Sequence, residues 1–82
     1  MTVRQHLEKF LMYHLVNKLR FKTHEIQNLS NRSKMKWGHR LGSPETYTRV
    51  FRQLREDGIY DVKKLKSPNS NEAMWEVRGD DD

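Results

Sequence analysis

The clearest structural signal in the chain is the stretch SPETYTRVFRQLREDG at positions 43–58. Ser43 is suited to cap a helix N-terminus, Pro44 to the first helical position, and Gly58 to the left-handed residue that ends a helix. One apolar face follows with i, i+3, i+4, i+7 spacing: Tyr47, Val50, Phe51 and Leu54. The stretch therefore predicts an amphipathic helix (helix 3) that begins after Ser43 and ends at Gly58.

A first helix is predicted at the amino terminus. Thr2 and Gln5 have the spacing of a capping box, in which each side chain accepts a hydrogen bond from the other residue's backbone. The apolar residues form two adjacent stripes, one of Val3, Leu7, Phe10, Leu11, His14 and Leu15, the other of Met12, Val16 and Leu19. We expect both stripes to be buried in so small a domain, with His14 partly buried and locally hydrogen-bonded. The alternative is that the second stripe forms a homodimer interface.

The segment between these helices is less clear. Residues 20–22 are expected to be extended, and Thr23 to cap a short second helix that buries Ile26 and Leu29. Residues 30–42 are polar and basic, and their glycines at positions 38 and 42 indicate breaks. The pattern fits either a continuation of helix 2 or a long loop.

Two strand-like runs complete the chain, at positions 59–65 and 73–78. The intervening residues 66–72 are rich in Ser, Pro and Asn, which is typical of a hairpin loop. Alternation along the strands predicts that Trp75 and Val77 face inward, together with Tyr60 and Val62. The segment therefore predicts a two-stranded β-hairpin.

Length and composition limit the architecture to one domain. With 82 residues and 34% hydrophobic residues, the chain cannot supply two cores. We assign the domain to residues 1–79 and an acidic tail to residues 80–82. The absence of cysteine excludes disulfides and thiolate chemistry. No signal-peptide pattern or membrane-length apolar run is present, so we expect a soluble, cytoplasmic protein without membrane contact.

The distribution of charge favours a polyanionic partner. The formal net charge is +5, and residues 18–55 contain ten Lys or Arg but only two acids, Glu25 and Glu45. A basic middle segment with acids near the ends is typical of nucleic-acid-binding proteins. The same charge would also suit a merely solvated surface.

The order of elements resembles the winged-helix variant of helix-turn-helix proteins. Two segments carry the resemblance: FKTHEI at positions 21–26 and YTRVFRQLREDGI at 47–59, where Leu and a charged pair precede Gly and an apolar residue. The resemblance extends over residues 5–78. The chain also resembles, more loosely, the winged-helix DNA-binding modules of some restriction endonucleases. The resemblance implies an α+β fold with three helices, a C-terminal two-stranded wing and a short extra strand near Phe21. A connection over residues 31–42 would be longer than the tight turn of simple helix-turn-helix proteins.

That resemblance also implies a function: binding of double-stranded DNA, with helix 3 in the major groove. A small transcriptional regulator without a cofactor is the expectation, nucleoid-associated if bacterial, and small size and basicity resemble regulators of phages or mobile elements. Arginine pairs with guanine edges and glutamine with adenine. The candidate nucleic-acid contacts on helix 3 and at its start are Ser43, Thr46, Thr48, Arg49, Arg52 and Gln53. Those in the preceding segment and the wing are Lys34, Lys36, Arg40, Lys63, Lys64, Lys66 and Asn69.

Other functions are weaker fits to the sequence. The four histidines lack metal-ligand spacing, and no nucleophile or phosphate-loop motif is present, so we expect neither an enzyme nor a metal site. The main alternative is a winged-helix protein-interaction module, such as a small inhibitor or adaptor that does not bind DNA. RNA ranks below DNA because the sheet is too small for a stacking platform. Trp37 fits either base stacking or core packing.

Overall fold

Three helices and three strands follow one another in a computed structural model that describes residues 1–65 and 72–78. In chain order they are α1 (Val3–Asn17), β1 (Arg20–Lys22), α2 (Thr23–Trp37), α3 (Pro44–Asp57), β2 (Asp61–Leu65) and β3 (Met74–Arg78). The expected α+β class and the short strand at Phe21 are confirmed. Most of the predicted hairpin loop, including Lys66 and Asn69, and the acidic tail lie outside the described residues.

Helix α1 begins as its capping signal predicts. The Thr2 hydroxyl accepts from the Gln5 backbone at 3.1 Å, and the Gln5 side chain accepts from the Thr2 backbone at 2.9 Å. Leu7 and Leu11 are fully buried against α3 and β3. His14 is buried, and its Nδ1 lies 2.8 Å from the Phe10 carbonyl oxygen, which confirms the local hydrogen bond expected for it.

The second apolar stripe of α1 is exposed, contrary to expectation. Met12, Val16 and Leu19 have 47%, 69% and 42% of their surfaces exposed. The physical reason is that α2, α3 and β3 pack against the side of α1 that carries the buried Leu7 and Leu11, so within residues 1–65 and 72–78 no element covers the neighbouring stripe. The prediction of a homodimer through this stripe is untested.

Helix α2 is longer than the short helix predicted to end near Leu29. It continues to Trp37 and ends at Gly38, which takes the left-handed conformation with φ 81°. Of the two alternatives left open for residues 30–42, the structure therefore shows the continued helix and not the long connection over residues 31–42, and only residues 38–43 separate α2 from α3. The continuation depends on two serines with no exposed surface, Ser30 and Ser33, whose burial a hydrophobic pattern does not predict.

The start of α2 also differs from the prediction. Thr23 is the first helical residue and not the cap, a position that Lys22 takes. The Glu25 carboxylate accepts from the Lys22 backbone at 2.7 Å. The Thr23 hydroxyl instead accepts from the Trp75 indole Nε1 at 3.0 Å, so it joins the helix to β3.

The three strands form one antiparallel sheet in the order β1-β3-β2. Phe21 of β1 and Lys64 of β2 both pair with Trp75 of β3. Trp75 and Val77 are buried as expected. Tyr60 and Val62 are only half-buried, and β2 begins two residues later than the predicted strand, which leaves Ile59 61% exposed.

The core lies between the sheet and the helices. Phe51 of α3 makes edge contacts with Phe21 and Trp75, with ring centroids 5.8 and 5.2 Å apart. These contacts fix α3 against β1 and β3. Helix α3 follows its prediction closely: Ser43 caps it, Pro44 begins it, Gly58 ends it with φ 72°, and the predicted apolar face is turned inward. On that face Tyr47, Phe51 and Leu54 are buried and Val50 is half-buried.

Candidate nucleic-acid interface

The polar face of α3 is directed away from the core. Because Tyr47, Phe51 and Leu54 are buried, the opposite side of the helix exposes Arg49 and Arg52, with Glu45 and Glu56 on the same side. Gln53 is exposed on one shoulder. Neither Arg49 nor Arg52 forms an ion pair with any described residue. Both guanidinium groups therefore keep their donors available for a ligand.

The hydroxyls at the start of α3 are engaged within the helix. Ser43 Oγ accepts from the Thr46 backbone at 3.2 Å and lies 3.0 Å from the Thr46 hydroxyl. The half-buried Thr48 donates its hydroxyl hydrogen to the Pro44 carbonyl at 3.1 Å. Because the hydroxyls of Ser43, Thr46 and Thr48 already have hydrogen-bond partners within the helix, the two arginines and Gln53 are the stronger candidates for base contacts.

The basic residues before α3 are not brought together as one group. Arg40 donates to the Asn31 side chain at 2.8 Å, which ties the connection to α2. Lys36 lies 5.1 Å from the centroid of the Trp37 ring and lines a groove of about 400 Å³ between α1 and α2, shared with Lys9 and Arg32. Lys34 is exposed in the last turn of α2, where a cation complements the helix dipole.

Trp37 packs only partly into the core, and its stacking on a base is untested. It is half-buried, and its ring meets the edge of the His6 ring at a centroid distance of 4.9 Å. The His6 Nδ1 lies 2.8 Å from the Tyr47 hydroxyl, so these rings join α1, α2 and α3. Burial, with the charges of Lys36, Arg32 and Lys9, lowers the pKa of His6 below its usual 6.5.

The two wing lysines within the described residues occupy opposite faces of the sheet. Lys64 pairs with Trp75, so the pleat places it on the face that packs against the helices. Lys63 pairs with Glu76 on the outer face. Glu76 also accepts from Arg20 and Arg78 at 3.2 and 3.0 Å, and these bonds hold its pKa below the usual value. Only Lys64 therefore shares a face with α3.

Sequence reasoning missed Arg55, which the structure places at the junction of α3 and the sheet. Its Cζ lies 4.4 Å from the Trp75 ring centroid and 5.0 Å from that of Phe51. The side chain is half-buried, its Nε is buried without a hydrogen-bond partner among the described residues, and burial lowers its pKa. The available signal was the spacing: Arg55 follows the core residue Phe51 by four positions and so lies beside it.

The histidines are dispersed through the domain. His14 bonds to a carbonyl of its own helix, His24 to the Glu72 carboxylate at 2.9 Å, and the exposed His39 to the Trp37 carbonyl at 3.2 Å. Within residues 1–65 and 72–78, no three His, Asp or Glu side chains are grouped as metal ligands would be.

No protein-family model matches the chain, and comparisons with curated proteins and with solved structures find no match either. Among the described helices, none combines the length and the hydropathy needed to cross a bilayer.

Proposed function

We propose that the protein is a winged-helix DNA-binding protein, a small regulator that places α3 in the major groove of double-stranded DNA. The observation that carries the proposal is the two-sidedness of α3. It buries Tyr47, Phe51 and Leu54 and exposes Arg49 and Arg52 without ion-pair partners among the described residues. An arginine free of carboxylates is able to donate two hydrogen bonds to guanine O6 and N7.

The sheet supports the same proposal. A strand before the second helix, paired with the last strand of a hairpin that follows the third helix, is the arrangement expected of a winged helix. In that arrangement β2 and β3 form the wing beside the recognition helix. Lys64 lies on the face of the wing that packs toward α3, so it supplies positive charge next to the proposed groove contact.

The experiment is a titration of a fluorescent random-sequence duplex at 50 to 200 mM salt. We expect tight binding that falls on the order of a thousandfold over that range if about six phosphates are contacted. The double variant Arg49→Gln/Arg52→Gln should lose about 1–3 kcal/mol for each arginine that reaches a base.

The matched control is the double variant Lys9→Gln/Arg32→Gln. It removes the same charge from the groove between α1 and α2, where neither residue forms an ion pair with the described part of the chain. Equal losses in the two double variants would mean that net charge and not α3 determines binding. No binding of wild type at 50 mM salt would refute the proposal.

A second candidate function is a protein-interaction module, and one observation favours it. Met12, Tyr13 and Val16 form an exposed apolar patch on α1, and Tyr13 is 59% exposed. Exposed apolar patches are typical of protein interfaces, including homodimer interfaces. Sedimentation of wild type and a Val16→Asp variant over a concentration series tests the homodimer: association that the substitution abolishes supports it, and a monomer at all concentrations excludes it.

A further inference from the structure

We propose that Arg55 and Lys64 together bind one phosphate group, forming a clasp between α3 and β2 that holds a phosphodiester of the DNA backbone beside the wing. The proposal rests on the proposed function, because the phosphate it assigns belongs to the duplex that α3 contacts. It adds a residue, Arg55, that the recognition face of α3 does not include.

The position of Arg55 is fixed by two aromatic rings. The guanidinium carbon lies 4.4 Å from the Trp75 ring centroid and 5.0 Å from that of Phe51. Such stacking restricts the guanidinium plane, and an arginine restricted in this way loses less freedom when it donates hydrogen bonds. The domain therefore holds this side chain in place before any ligand arrives.

Arg55 has no ion-pair partner among the residues that the structure describes. Its Nε is buried and unbonded, and no carboxylate of the described residues lies within 4 Å of its nitrogens. Arg52, one turn earlier, adds a second positive charge, which Glu56 offsets in part. A half-buried guanidinium of this kind has lost hydration that the described residues do not replace. A bound anion would supply an acceptor for the terminal Nη groups, which, unlike Nε, are not closed off from the surface.

Lys64 approaches the same junction from the wing. It is directly opposite Trp75 in the β2–β3 register, so its side chain emerges from the face of the sheet on which Arg55 stacks. It is exposed and has no ion-pair partner among the described residues. Its neighbour Lys63 lies on the opposite face of the sheet, beside Glu76.

The chemistry of the two groups fits a phosphodiester. A planar guanidinium fork binds two oxygens of a phosphate, and a lysine ammonium binds phosphate as a point charge. Because α3 presents Arg49 and Arg52 on its adjoining face, a backbone phosphate at the edge of the groove would meet Arg55 and Lys64 next. The clasp would thus fix the register of α3 on the duplex without reading a base.

The test compares three variants in duplex binding over the same salt range: Arg55→Met, which keeps an unbranched side chain over the rings, Lys64→Gln, and the control Lys9→Gln, in the groove between α1 and α2. We expect Arg55→Met and Lys64→Gln each to lower the log–log salt slope by about one unit, and Lys9→Gln to leave it unchanged. The double variant Arg55→Met/Lys64→Gln should lose little more than either single variant, because both residues serve one phosphate.

The clasp is overturned if Lys9→Gln and Lys64→Gln weaken binding equally, or if Arg55→Met binds the duplex with the wild-type slope. Thermal unfolding of each variant identifies any loss that comes from a destabilised fold. A Trp37→Phe background leaves Trp75 as the only tryptophan, so its fluorescence reports directly on the stacked arginine.

A failure of DNA binding as such is distinguishable from a failure of the clasp. If wild type binds no duplex, pyrophosphate is titrated against the Trp75 fluorescence of the Trp37→Phe protein, with sodium chloride at equal ionic strength as the control. A saturable change that Arg55→Met abolishes would support a phosphate site in a protein of another function. No saturable change in that case would overturn the clasp together with the DNA proposal.

Discussion

Helix α3 and the second half of α2 are held in the same domain by different interactions. Helix α3 packs through an apolar stripe, with Tyr47, Phe51 and Leu54 buried. Over positions 30–37 of α2 the buried side chains are instead Ser30 and Ser33. The difference shows that a small basic domain with few apolar residues also closes its interior with hydroxyl groups, which a hydrophobic pattern does not reveal.

The serines bind the connection between the two helices. Ser30 donates to the Gly42 carbonyl at 2.6 Å, and Ser33 donates to the Ser30 carbonyl at 2.7 Å while accepting from the Leu41 backbone at 3.1 Å. Backbone groups buried at the connection are thereby satisfied, as burial requires. A Cβ at Gly42 would lie 2.7 Å from a methyl of Val3, so the connection also passes close to α1.

The largest loss of stability is expected from a substitution in the apolar packing of α3. Phe51→Ala removes the ring that contacts Phe21 and Trp75 and should cost about 3–5 kcal/mol of unfolding free energy, from lost burial and the cavity left behind. Urea unfolding followed by circular dichroism measures it, with the half-buried Val50→Ala as a milder control. A loss below about 1 kcal/mol would mean that the packing between α3 and the sheet is looser than these contacts imply.

The next largest loss of stability is expected from removing the Ser33 hydroxyl of α2. Ser33→Ala leaves the partly buried Leu41 backbone donor without its acceptor, which should cost no more than the roughly 1–3 kcal/mol of a fully buried unsatisfied donor. Urea unfolding and amide hydrogen exchange at Leu41 measure the effect. The exposed Gln27→Ala on the same helix is the control and should change stability little. Equal stabilities of the Ser33 and Gln27 variants would contradict a structural role for the hydroxyl.

The same difference between α3 and α2 explains why the sequence predicts the ends of one helix and not the length of the other. The ends of α3 follow from Ser43, Pro44 and Gly58 because caps act through neighbouring residues. The length of α2 depends on hydroxyl bonds to residues about ten positions away, which local patterns do not encode.

The candidate site divides in the same way. Arg49 and Arg52 are predictable from helical periodicity, because the polar face follows from the apolar one. The role of Arg55 depends on Trp75, twenty positions later. The separation of Lys63 from Lys64 onto opposite faces follows from strand alternation alone, but the pairing of Lys64 with Trp75 depends on the strand register, which only the tertiary structure determines.

A pH titration examines the contact that joins the two regions, His6 between Trp37 of α2 and Tyr47 of α3. Because the folded pKa of His6 lies below the unfolded value of 6.5, the unfolded chain binds more protons between these two pKa values. Stability should therefore be complete above about pH 6.5 and fall as the pH decreases toward the folded pKa.

The measurement is the urea midpoint at pH 7.5, 6.5 and 5.5 for wild type and His6→Gln. The variant should lack most of this dependence, whereas the exposed His39→Gln should retain it. The Glu72 and Glu76 carboxyls, whose pKa values are lowered from 4.5, titrate below this window and do not confuse it. An unchanged dependence in His6→Gln would assign the effect to another group.

The smallest effect is expected at the helix ends, where α2 and α3 are alike and α1 differs. Both α2 and α3 end at glycines with positive φ, but α1 ends at Lys18 with φ 55°. A residue with a side chain costs about 1–2 kcal/mol in the left-handed region, and glycine avoids this cost. Glycine also loses more chain entropy on folding, which cancels part of the gain. Lys18→Gly should therefore raise the unfolding free energy by up to about 1 kcal/mol, measured as an upward shift in thermal midpoint. Lys18→Ala removes the same charge but keeps the Cβ, so a gain in both variants would mean that relief of charge repulsion, and not backbone conformation, is the cause.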